Sequence, residues 1–431
     1  MKYTICSVGD AIHTSPMPKG YDGMDVKEIL GQADVRLFNL EYVVSDRAPA
    51  FGSSFCGGTW LVAGTDTLDD ILGFGFNGCS FANNHTMDYS YDGLFSTLEA
   101  VRERGLPTSG AGRDLKEASA PAVIDTPKGK CALISVCSTF NDAARAGNAS
   151  STVAGRPGIN PLRFSAVYDV TPAHMQALKE IAAGTMIDGR RNLSRAGGYT
   201  PAPPAGMMGF GEYTFRESET EGKTTVPCAA DVERTVADIK AARLTCKHVV
   251  VNIHSHEIKG MTDDEPDGFM VDFARKCVDA GASAVIGTGT HQLKHIEFYK
   301  GKPIFYSVGN FMFQPDTGLA RMPADFGEKY GYPADATPRE WIDMRSDHGR
   351  RGLHTDAVNF RSLMPFITYE DDEVTETKCY LLRLNMETGM PALASAEEQR
   401  IIFDYMVDRC KCSNALLTLC DGYILVKERK D

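Results

Sequence analysis

The sequence has no long apolar run. No segment reaches the roughly 18 consecutive apolar residues that mark a transmembrane helix. The N-terminal stretch MKYTICSVGD has neither the apolar core nor the small-residue cleavage site of a secretion signal. These absences predict a protein without a membrane segment, and they favour a cytoplasmic location.

Paired cysteine motifs are also absent. The twelve cysteines are scattered, and many lie in apolar runs, where cysteine packs as a small hydrophobic residue. Cys410 and Cys412 are too close together for a Cys-x-x-Cys zinc motif, and no second pair completes one. Cysteine usage therefore predicts reduced thiols in the cytoplasm.

An excess of positive charge is the third feature that the chain lacks. Its 431 residues carry a formal net charge of −12, which makes a general nucleic-acid-binding surface unexpected. Anionic substrates remain compatible with this net charge, because a bound metal can make the local electrostatic potential positive in a chain that is negative overall. The length suits one large domain or two ordinary ones.

A polar cluster lies in the stretch FANNHTMDYSYD, residues 81–92. It places Asn83, Asn84, His85 and Asp88 within six positions, between a strand-like segment and a helical pattern. Proteins of the α/β class often place their chemistry at such points, where rigid elements hold loop ends that face solvent. Asn and His offer donors that suit a transition metal and a proton donor. An Asn-rich turn that caps a helix is the alternative.

Further polar groups follow segments that read as buried strands. They are Asp10 after residues 3–8, Glu41 after 34–40, His254 after 249–253 and His291 after 284–287. Parallel neighbouring strands bring their carboxyl ends together, so these groups are expected to meet Asn84 and His85.

Carboxylates, imidazoles and an Asn carbonyl together form the ligand set of a two-metal hydrolase site. Such a site lowers the pKa of a bound water and stabilises a developing oxyanion. Taken singly, each residue has an ordinary explanation, such as an Asp that forms a turn or a His in the core. Their repeated placement at strand ends favours the metal site.

Residues 140–222 differ from the rest of the chain. They are rich in Gly, Ala, Pro, Ser and Arg, with little apolar periodicity outside 175–187. Long structureless loops are uncommon in compact domains, so we interpret this region as an insertion with one or two helices, either a lid or flexible padding. Its arginines are candidates for clamping carboxylates or phosphates, with a solvated surface as the alternative. They are Arg145, Arg156, Arg163, Arg190, Arg191 and Arg195.

Four motifs, in order along the chain, resemble the CapA family of capsule (poly-γ-glutamate) synthesis proteins. They are ANNHTMDYS, SGAGRDLKEA, VVNIHSHE and AVIGTGTHQLKHIEFYKGKPIFYSVGNFMF. The resemblance covers most of residues 1–313, and its last motif is highly specific.

The resemblance implies an α/β fold of the calcineurin-like metallophosphoesterase type. This fold is a four-layer α/β/β/α sandwich of two mixed sheets with the metal site along one edge. Residues 1–330 would form the CapA-like domain, with an insertion at about 140–222. Residues 331–431 would be an extension that completes the same domain.

The resemblance also implies a divalent transition-metal centre of one or two ions, manganese, iron or zinc. The implied ligands are Asp10, Glu41, Asn84, His254 and His291. Glu41 stands where phosphoesterases usually place a bridging Asp. His85 would be a proton donor or transition-state stabiliser, and Asp88 would orient it through a hydrogen bond.

The chain departs from the family pattern in three places. Thr288 stands where the family often has a His, so one ligand is lost or replaced. The run HSHE stands in place of the usual His-Trp-Gly-x-Glu, which makes His256 or Glu257 a candidate replacement. His13 lies three positions after Asp10 instead of two, so it is a further candidate ligand.

The resemblance predicts a metal-dependent hydrolase in which a metal-bound hydroxide attacks and His85 protonates the leaving group. Poly-γ-glutamate, or another γ-glutamyl or acidic-polymer amide, is the expected substrate. The alternatives are a phosphoesterase acting on a small phosphate ester, and a non-catalytic partner in capsule polymer synthesis. The expected binding partner is thus an acidic polymer or a small anionic substrate, and the oligomeric state stays open.

Overall fold

The apolar runs of the sequence become strands and helices in the computed structural model, which describes residues 1–47, 51–316 and 321–429. In chain order, the strands are β1 (Lys2–Ile12), β2 (Val35–Leu40), β3 (Val43–Val44), β4 (Val62–Ala63), β5 (Gly78–Ser80), β6 (Thr108–Ser109), β7 (Ala111–Gly112), β8 (Ala122–Thr126), β9 (Gly129–Cys137), β10 (Gly158–Ile159), β11 (Phe164–Val170), β12 (Met207–Phe210), β13 (Tyr213–Glu217), β14 (Gly222–Pro227), β15 (His248–Ser255), β16 (Ala284–Gly289), β17 (Ile296–Tyr299), β18 (Lys302–Phe305), β19 (Asn310–Phe313), β20 (Arg361–Glu370), β21 (Glu373–Leu384), β22 (Pro391–Leu393), β23 (Ala415–Leu419) and β24 (Tyr423–Glu428). The helices are α1 (Met24–Leu30), α2 (Thr65–Leu72), α3 (Ser90–Glu103), α4 (Leu115–Ser119), α5 (Pro172–Thr185), α6 (Gly189–Ala196), α7 (Ala229–Ala242), α8 (Gly268–Ala280), α9 (Asp325–Tyr330), α10 (Pro338–Arg345) and α11 (Ala396–Arg409).

Two mixed sheets carry most of the strands, so the predicted α/β class is confirmed. The larger sheet has ten strands in the order β23-β24-β21-β20-β1-β2-β5-β6, with β19 beside β1 and β22 beside β21. The smaller sheet has six strands in the order β17-β18-β16-β15-β9-β8. In the smaller sheet, parallel pairs lie at the centre and antiparallel pairs lie at both edges. In the larger sheet, parallel pairs run from β1 to the edge strand β6, and antiparallel pairs form the other side, from β20 to β23.

The central strands are apolar because both of their faces are covered. Ile5 of β1 packs in a cluster with residues of the smaller sheet, whereas the next residue, Cys6, packs in a cluster with α1, α2 and α3. In the smaller sheet, Val250 packs in the same cluster as Ile5, whereas Val251 packs in a cluster with α7 and α8. Successive side chains of a strand point to opposite faces, so near-continuous apolar runs fit this burial.

Strand β1 is longer than the sequence predicts. The expected strand ended at residue 8, but β1 continues to Ile12, so Asp10 lies inside the strand. The pairing of β1 with β2 shifts register between Ser7 and Asp10. A Cβ on Gly9 would lie 1.7 Å from the carbonyl oxygen of Gly309, so only glycine permits this close approach. The irregularity turns Asp10 into the interior beside β19.

The insertion contains more structure than expected. The predicted helices are present as α5 and α6, but β11, β12, β13 and β14 also form a four-stranded sheet. Most side chains of these strands are only partly buried, so the alternation that marks a strand in sequence is weak there.

The C-terminal part contributes strands to the larger sheet. Strand β20 pairs antiparallel with the first half of β1, and β21, β24 and β23 follow outward. In the described part of the chain, we find no helix long and apolar enough to cross a membrane.

Candidate metal centre

Parallel pairing brings the predicted ligands together from separate strands. β1, β2 and β5 are parallel neighbours in the larger sheet, and β15 and β16 are parallel neighbours in the smaller one. Asp10 lies on β1, Glu41 directly follows β2, and Asn84 lies in the loop after β5. His254 lies near the end of β15, and His291 lies just after β16.

The Glu41 carboxylate is buried without a hydrogen-bond partner. Its side chain is inaccessible to solvent, and neither oxygen has a partner among the described residues. The Nε2 of His254 lies 3.5 Å from Oε1. Burial, and then the charge of Asp10, raise the pKa of Glu41 well above its ordinary value. Because an unpaired buried carboxylate is costly, this environment fits a carboxylate that binds a cation.

Asp10 is equally buried but is well bonded. Its Oδ1 accepts a hydrogen bond from Asn39 Nδ2 at 2.7 Å, and its Oδ2 accepts one from the Gly289 backbone N–H at 2.9 Å. Burial opposes the charged form, but His254, His291 and Asn39 outweigh it and hold the pKa of Asp10 below its ordinary value. Asp10 is therefore ionised and able to bind a cation.

The Nε2 of His254 lies at the centre of a tight group. Asn84 Oδ1 is 2.8 Å from it, and His256 Nε2 is 3.2 Å from it. On the other side of the ring, Nδ1 lies 3.0 Å from Thr288 Oγ1. Asn39 Nδ2 lies 3.2 Å from the same Nδ1. Coordination through Nε2 requires the proton to be on Nδ1, where the Thr288 hydroxyl can accept it.

His291 is fixed in the same way. Asn310 Nδ2 donates to the Asn359 carbonyl at 2.8 Å, so Asn310 Oδ1 faces His291 and accepts from its Nδ1 at 2.8 Å. The proton then lies on Nδ1, and Nε2 is left to coordinate. His291 also has φ of +61°, which a residue with a Cβ rarely adopts. Such conformations concentrate at functional sites.

Two overlapping groups of ligand atoms share Glu41. One consists of Asp10, Glu41 and His254, and the other of Glu41, His256 and His291; within each group the ligand atoms lie within 4.8 Å of one another. Burial, with His254 and His291 nearby, holds the pKa of His256 well below its ordinary value, so its ring is neutral as a ligand must be. Ligand atoms at about 2.0–2.2 Å from one ion lie roughly 3–3.5 Å apart. His254 Nε2 and Glu41 Oε1, at 3.5 Å, have this spacing. These buried groups could hold a metal ion.

The loop after β5 holds Asn84 and His85. Asn84 Nδ2 donates to the Gly57 carbonyl at 2.9 Å, which turns Oδ1 toward the other ligand atoms. His85 Nδ1 lies 2.7 Å from Asp88 Oδ2. Asp88 also accepts the backbone N–H groups of Gly57 at 3.0 Å and Leu61 at 2.9 Å. The buried Asp88 thus fixes the His85 ring, which lines a cavity beside the ligand atoms.

Two further candidate ligands are engaged elsewhere. His13 is buried, with Nδ1 bonded to Gln314 Oε1 at 3.1 Å and Nε2 bonded to Asp70 Oδ2 at 3.0 Å. Glu257 accepts hydrogen bonds from the hydroxyl groups of Ser138, Thr139 and Ser255. The structure therefore leaves both outside the group of ligand atoms, whereas His256 lies within it.

Sequence patterns missed the residues that orient the ligands. Asn39 holds Asp10, Asn310 holds His291, and Thr288 lies against His254. Asn39 and Asn310 do sit near strand ends, the signal that identified the ligands, but an amide there has many ordinary uses. Thr288 appeared only as a departure from the family pattern.

The arginines of the insertion do not reach the cavity. Arg163 pairs with Asp231, and Arg191 pairs with Asp188 and Glu212. Among the described residues, the arginines that line the cavity are Arg345 and Arg351. The suggestion that the insertion supplies a clamp is therefore not supported.

The chain matches a known family over residues 5–315. This family is described as the bacterial capsule synthesis protein PGA_cap. The chain belongs to this family. The predicted resemblance is thereby confirmed, and membership implies an involvement in capsule or poly-γ-glutamate biosynthesis. The matched range contains all the ligand atoms described above and stops before residue 316.

Individual relatives match to different extents. The chain is 28% identical to the uncharacterized protein y4sH of Sinorhizobium fredii over 408 residues, 91% of this chain and 86% of the relative. It is 32% identical to the PGA biosynthesis protein CapA of Bacillus subtilis over 149 residues, 34% of this chain and 37% of the relative. A "probable polyglutamine synthesis accessory protein" of Mycobacterium tuberculosis is 24% identical over 232 residues, 54% of this chain and 44% of the relative. The likeness to the two named proteins is thus partial.

Proposed function

We propose that the protein is a metal-dependent hydrolase that cleaves an amide bond in poly-γ-glutamate or another γ-glutamyl or acidic polymer. The observation that carries the proposal is the buried Glu41 carboxylate. It has no hydrogen-bond partner among the described residues, and it belongs to both groups of ligand atoms. Asp10, Glu41 and His254 would hold one ion, and Glu41, His256 and His291 would hold a second, which is the ligand set of a two-metal hydrolase. The family supports the polymer class.

The donor set suits one or two divalent ions of manganese, iron or zinc. The proposed ligands are Asp10, Glu41, Asn84, His254 and His291, with His256 as an additional one. When bound, such ions supply a water of lowered pKa and polarise the bond to be cleaved. The chain itself fixes the imidazole rings through Thr288 and Asn310.

His85 is the group we assign as proton donor to the leaving atom. Its Nδ1 is bonded to Asp88, and its ring lines the cavity. A proton on Nε2 can therefore pass to a leaving atom held in the cavity, while Asp88 stabilises the charged ring. Asp88 acts through His85 and is a positioning residue.

We also infer a four-layer α/β/β/α sandwich formed by the two sheets and their helices. It is supported by three apolar clusters, one joining the two sheets and one between each sheet and its helices. We infer that residues 1–330 form one domain with an insertion at about 140–222, and that residues 331–431 complete it. The pairing of β20 with β1 supports this division.

Two alternatives rest on the same observations. A small phosphate ester would need the same activated water and the same proton donor, so the site suits a phosphoesterase too. A non-catalytic partner in capsule polymer synthesis is favoured by the accessory role in the name of the Mycobacterium tuberculosis relative.

Elemental analysis of the purified full chain, beside an assay of γ-glutamyl oligomer cleavage, tests the proposal. We expect one or two transition-metal ions per chain and cleavage that stops when they are removed. Glu41→Gln should lower metal content and abolish cleavage, because it removes the shared charge but keeps the shape. Glu397→Gln, on the exposed face of α11, is the matched control. A chain that takes up no metal on reconstitution would contradict the hydrolase.

A further inference from the structure

A cavity of about 480 Å³ opens beside the candidate metal centre. Its lining includes His85, His256 and His291, which belong to the centre. A further group of lining residues, here called the C-terminal wall, comes from the chain after the family match ends: Asp316, Arg345, Ser346, Arg351, Gly352, Leu353 and His354. The family match therefore covers the ligand atoms, whereas the C-terminal wall lies outside it.

Arg345 anchors this wall and is already satisfied. It donates to Thr59 Oγ1 at 2.7 Å and to Asp316 Oδ1 at 2.8 Å, and its guanidinium lies 5.4 Å from the centre of the Phe326 ring. His354 Nδ1 lies 3.1 Å from the other oxygen of Asp316. Asp316 is thus paired with the Arg345 guanidinium and lies beside the His354 ring.

Arg351 is a solvent-exposed cation that lines the cavity and makes no ion pair within the described residues. Its Nε donates to the Arg345 carbonyl at 3.1 Å, which holds the guanidinium at the cavity. Its terminal nitrogens have no carboxylate partner within the described ranges. The neighbouring Arg350 differs, since it makes two hydrogen bonds to Asp347, at 3.0 and 2.7 Å, and does not line the cavity.

We propose that Arg351 binds a carboxylate of the substrate in the cavity that the metal-site histidines also line. The assignment rests on the proposed function and names the residue that selects its substrate. A guanidinium held through Nε presents two parallel donors that match a carboxylate in a bidentate pair. Asp263 also lines the cavity, and its negative charge favours a singly charged carboxylate over a doubly charged phosphate. A chain of γ-linked glutamyl residues carries such a group on every residue.

Calorimetric binding of γ-glutamyl trimer to the full chain loaded with Mn²⁺ tests the assignment. We expect Arg351→Ala to weaken binding by roughly 10-fold to 100-fold, because a charge-assisted hydrogen-bond pair is lost. Arg351→Lys should fall between wild type and Arg351→Ala, since it keeps the charge but not the fork. Arg350→Ala is the matched control and should change affinity by less than about twofold.

A trimer whose carboxylates are converted to carboxamides separates charge recognition from general packing. It should bind wild type and Arg351→Ala equally weakly. The assignment is overturned if wild type does not bind the acidic trimer, or if Arg351→Ala binds it as tightly as wild type does. The assignment is also overturned if Arg350→Ala and Arg351→Ala lose equal affinity for the trimer. It is likewise overturned if inorganic phosphate displaces the trimer and this displacement depends on Arg351 to the same extent.

Turnover separates this assignment from the proposed hydrolase. If binding depends on Arg351 but no γ-glutamyl or phosphate bond is cleaved, the hydrolase fails and the binding residue stands. If wild type cleaves the trimer and Arg351→Ala does so with the same kcat/KM, the assignment fails and the hydrolase stands.

Discussion

At the scale of single residues, Glu41 and Asp10 show how one interior treats two carboxylates differently. Asp10 has an amide donor and a backbone N–H, whereas Glu41 has no hydrogen-bond partner among the described residues. Burial removes water from both carboxylates, but only the Asp10 carboxylate gains hydrogen bonds from protein donors in its place. A cation next to Glu41 would remove the difference, which is why we place the metal site on this residue.

Asp88→Asn tests whether His85 needs its partner. The amide cannot accept the Gly57, Leu61 and His85 protons together, so the imidazole should lose its fixed orientation. We expect kcat to fall at least about tenfold, and its pH profile to shift, with metal content unchanged. The exposed Asp92→Asn on α3 is the control. Equal kcat in wild type and Asp88→Asn would contradict the positioning role.

Lys294 predicts a pH effect on stability. Its side chain is 1% exposed, and Nζ lies 3.5 Å from the carbonyls of Glu257 and Glu265. Burial lowers its pKa from 10.5 to about 8, opposed by acidic groups at Asp263, Glu257, Asp267 and Asp264. At pH values between these two pKa values, Lys294 is protonated in a larger fraction of unfolded chains than of folded chains. The Lys294 contribution should therefore make the folded state more stable as pH rises through this window.

Urea unfolding of wild type and Lys294→Met between pH 7 and 10.5 checks this sign. The free energy of unfolding of wild type should rise relative to that of the variant, by at most about 1.4 kcal/mol per pH unit. Comparison with the variant cancels the tyrosines and cysteines that titrate in the same range. Lys19→Met, at an exposed position, should not change the pH dependence. A constant difference between wild type and Lys294→Met would contradict the prediction.

Residue chemistry explains which parts of the site the sequence could predict. Asp10, Glu41, Asn84, His254 and His291 were predictable because each stands where an apolar run meets a polar group. Arg351 was not, because one arginine in a charged stretch has the same local pattern as its neighbour Arg350. Only the folded chain distinguishes them, since one is paired with Asp347 and the other lines the cavity.

At the scale of elements, apolar content decided what could be predicted. Strands β2, β15 and β16 agree with their predicted runs to within a few residues, because burial on both faces leaves a continuous apolar signal. The insertion sheet escaped prediction because its strands are short and only partly buried. The irregularity that places Asp10 inside β1 depends on contact with Gly309, which lies far along the chain.

The loop that contains Gly57 is an element whose backbone shapes the site. Its N–H bonds to Asp88 and its carbonyl accepts from Asn84. A Cβ there would lie 2.5 Å from Asn84 Nδ2 and 2.7 Å from the His85 ring, so Gly57→Ala must displace one ligand or the proton donor. We expect at least about a tenfold loss of kcat/KM, measured on the substrate found in the cleavage assay.

Gly260→Ala is the matched control for the loop. Nothing lies within 4 Å of a Cβ at this position, and its loop is exposed. It should keep wild-type kcat/KM and metal content. If Gly57→Ala behaves like Gly260→Ala, the loop does not set the position of Asn84 and His85 as we describe.

At the scale of the whole molecule, the candidate metal centre draws its residues from both sheets. Asp10, Glu41 and Asn84 come from the larger sheet and its loops, whereas His254 and His291 come from the smaller one. An ion held between them would act as a cross-link that the unfolded chain cannot make. Metal binding should therefore stabilise the entire fold and not only the site.

Thermal unfolding with and without a chelator tests this coupling. Free metal at about 1,000 times Kd adds roughly 4 kcal/mol to stability, so wild type should unfold several degrees higher with Mn²⁺ than with chelator. Glu41→Gln should lose most of that difference. Without metal it should be at least as stable as wild type, because the amide buries no carboxylate. Glu397→Gln should match wild type in both conditions. A metal-free wild type that unfolds at the same temperature as the loaded protein would show that the two sheets are held together without the ion.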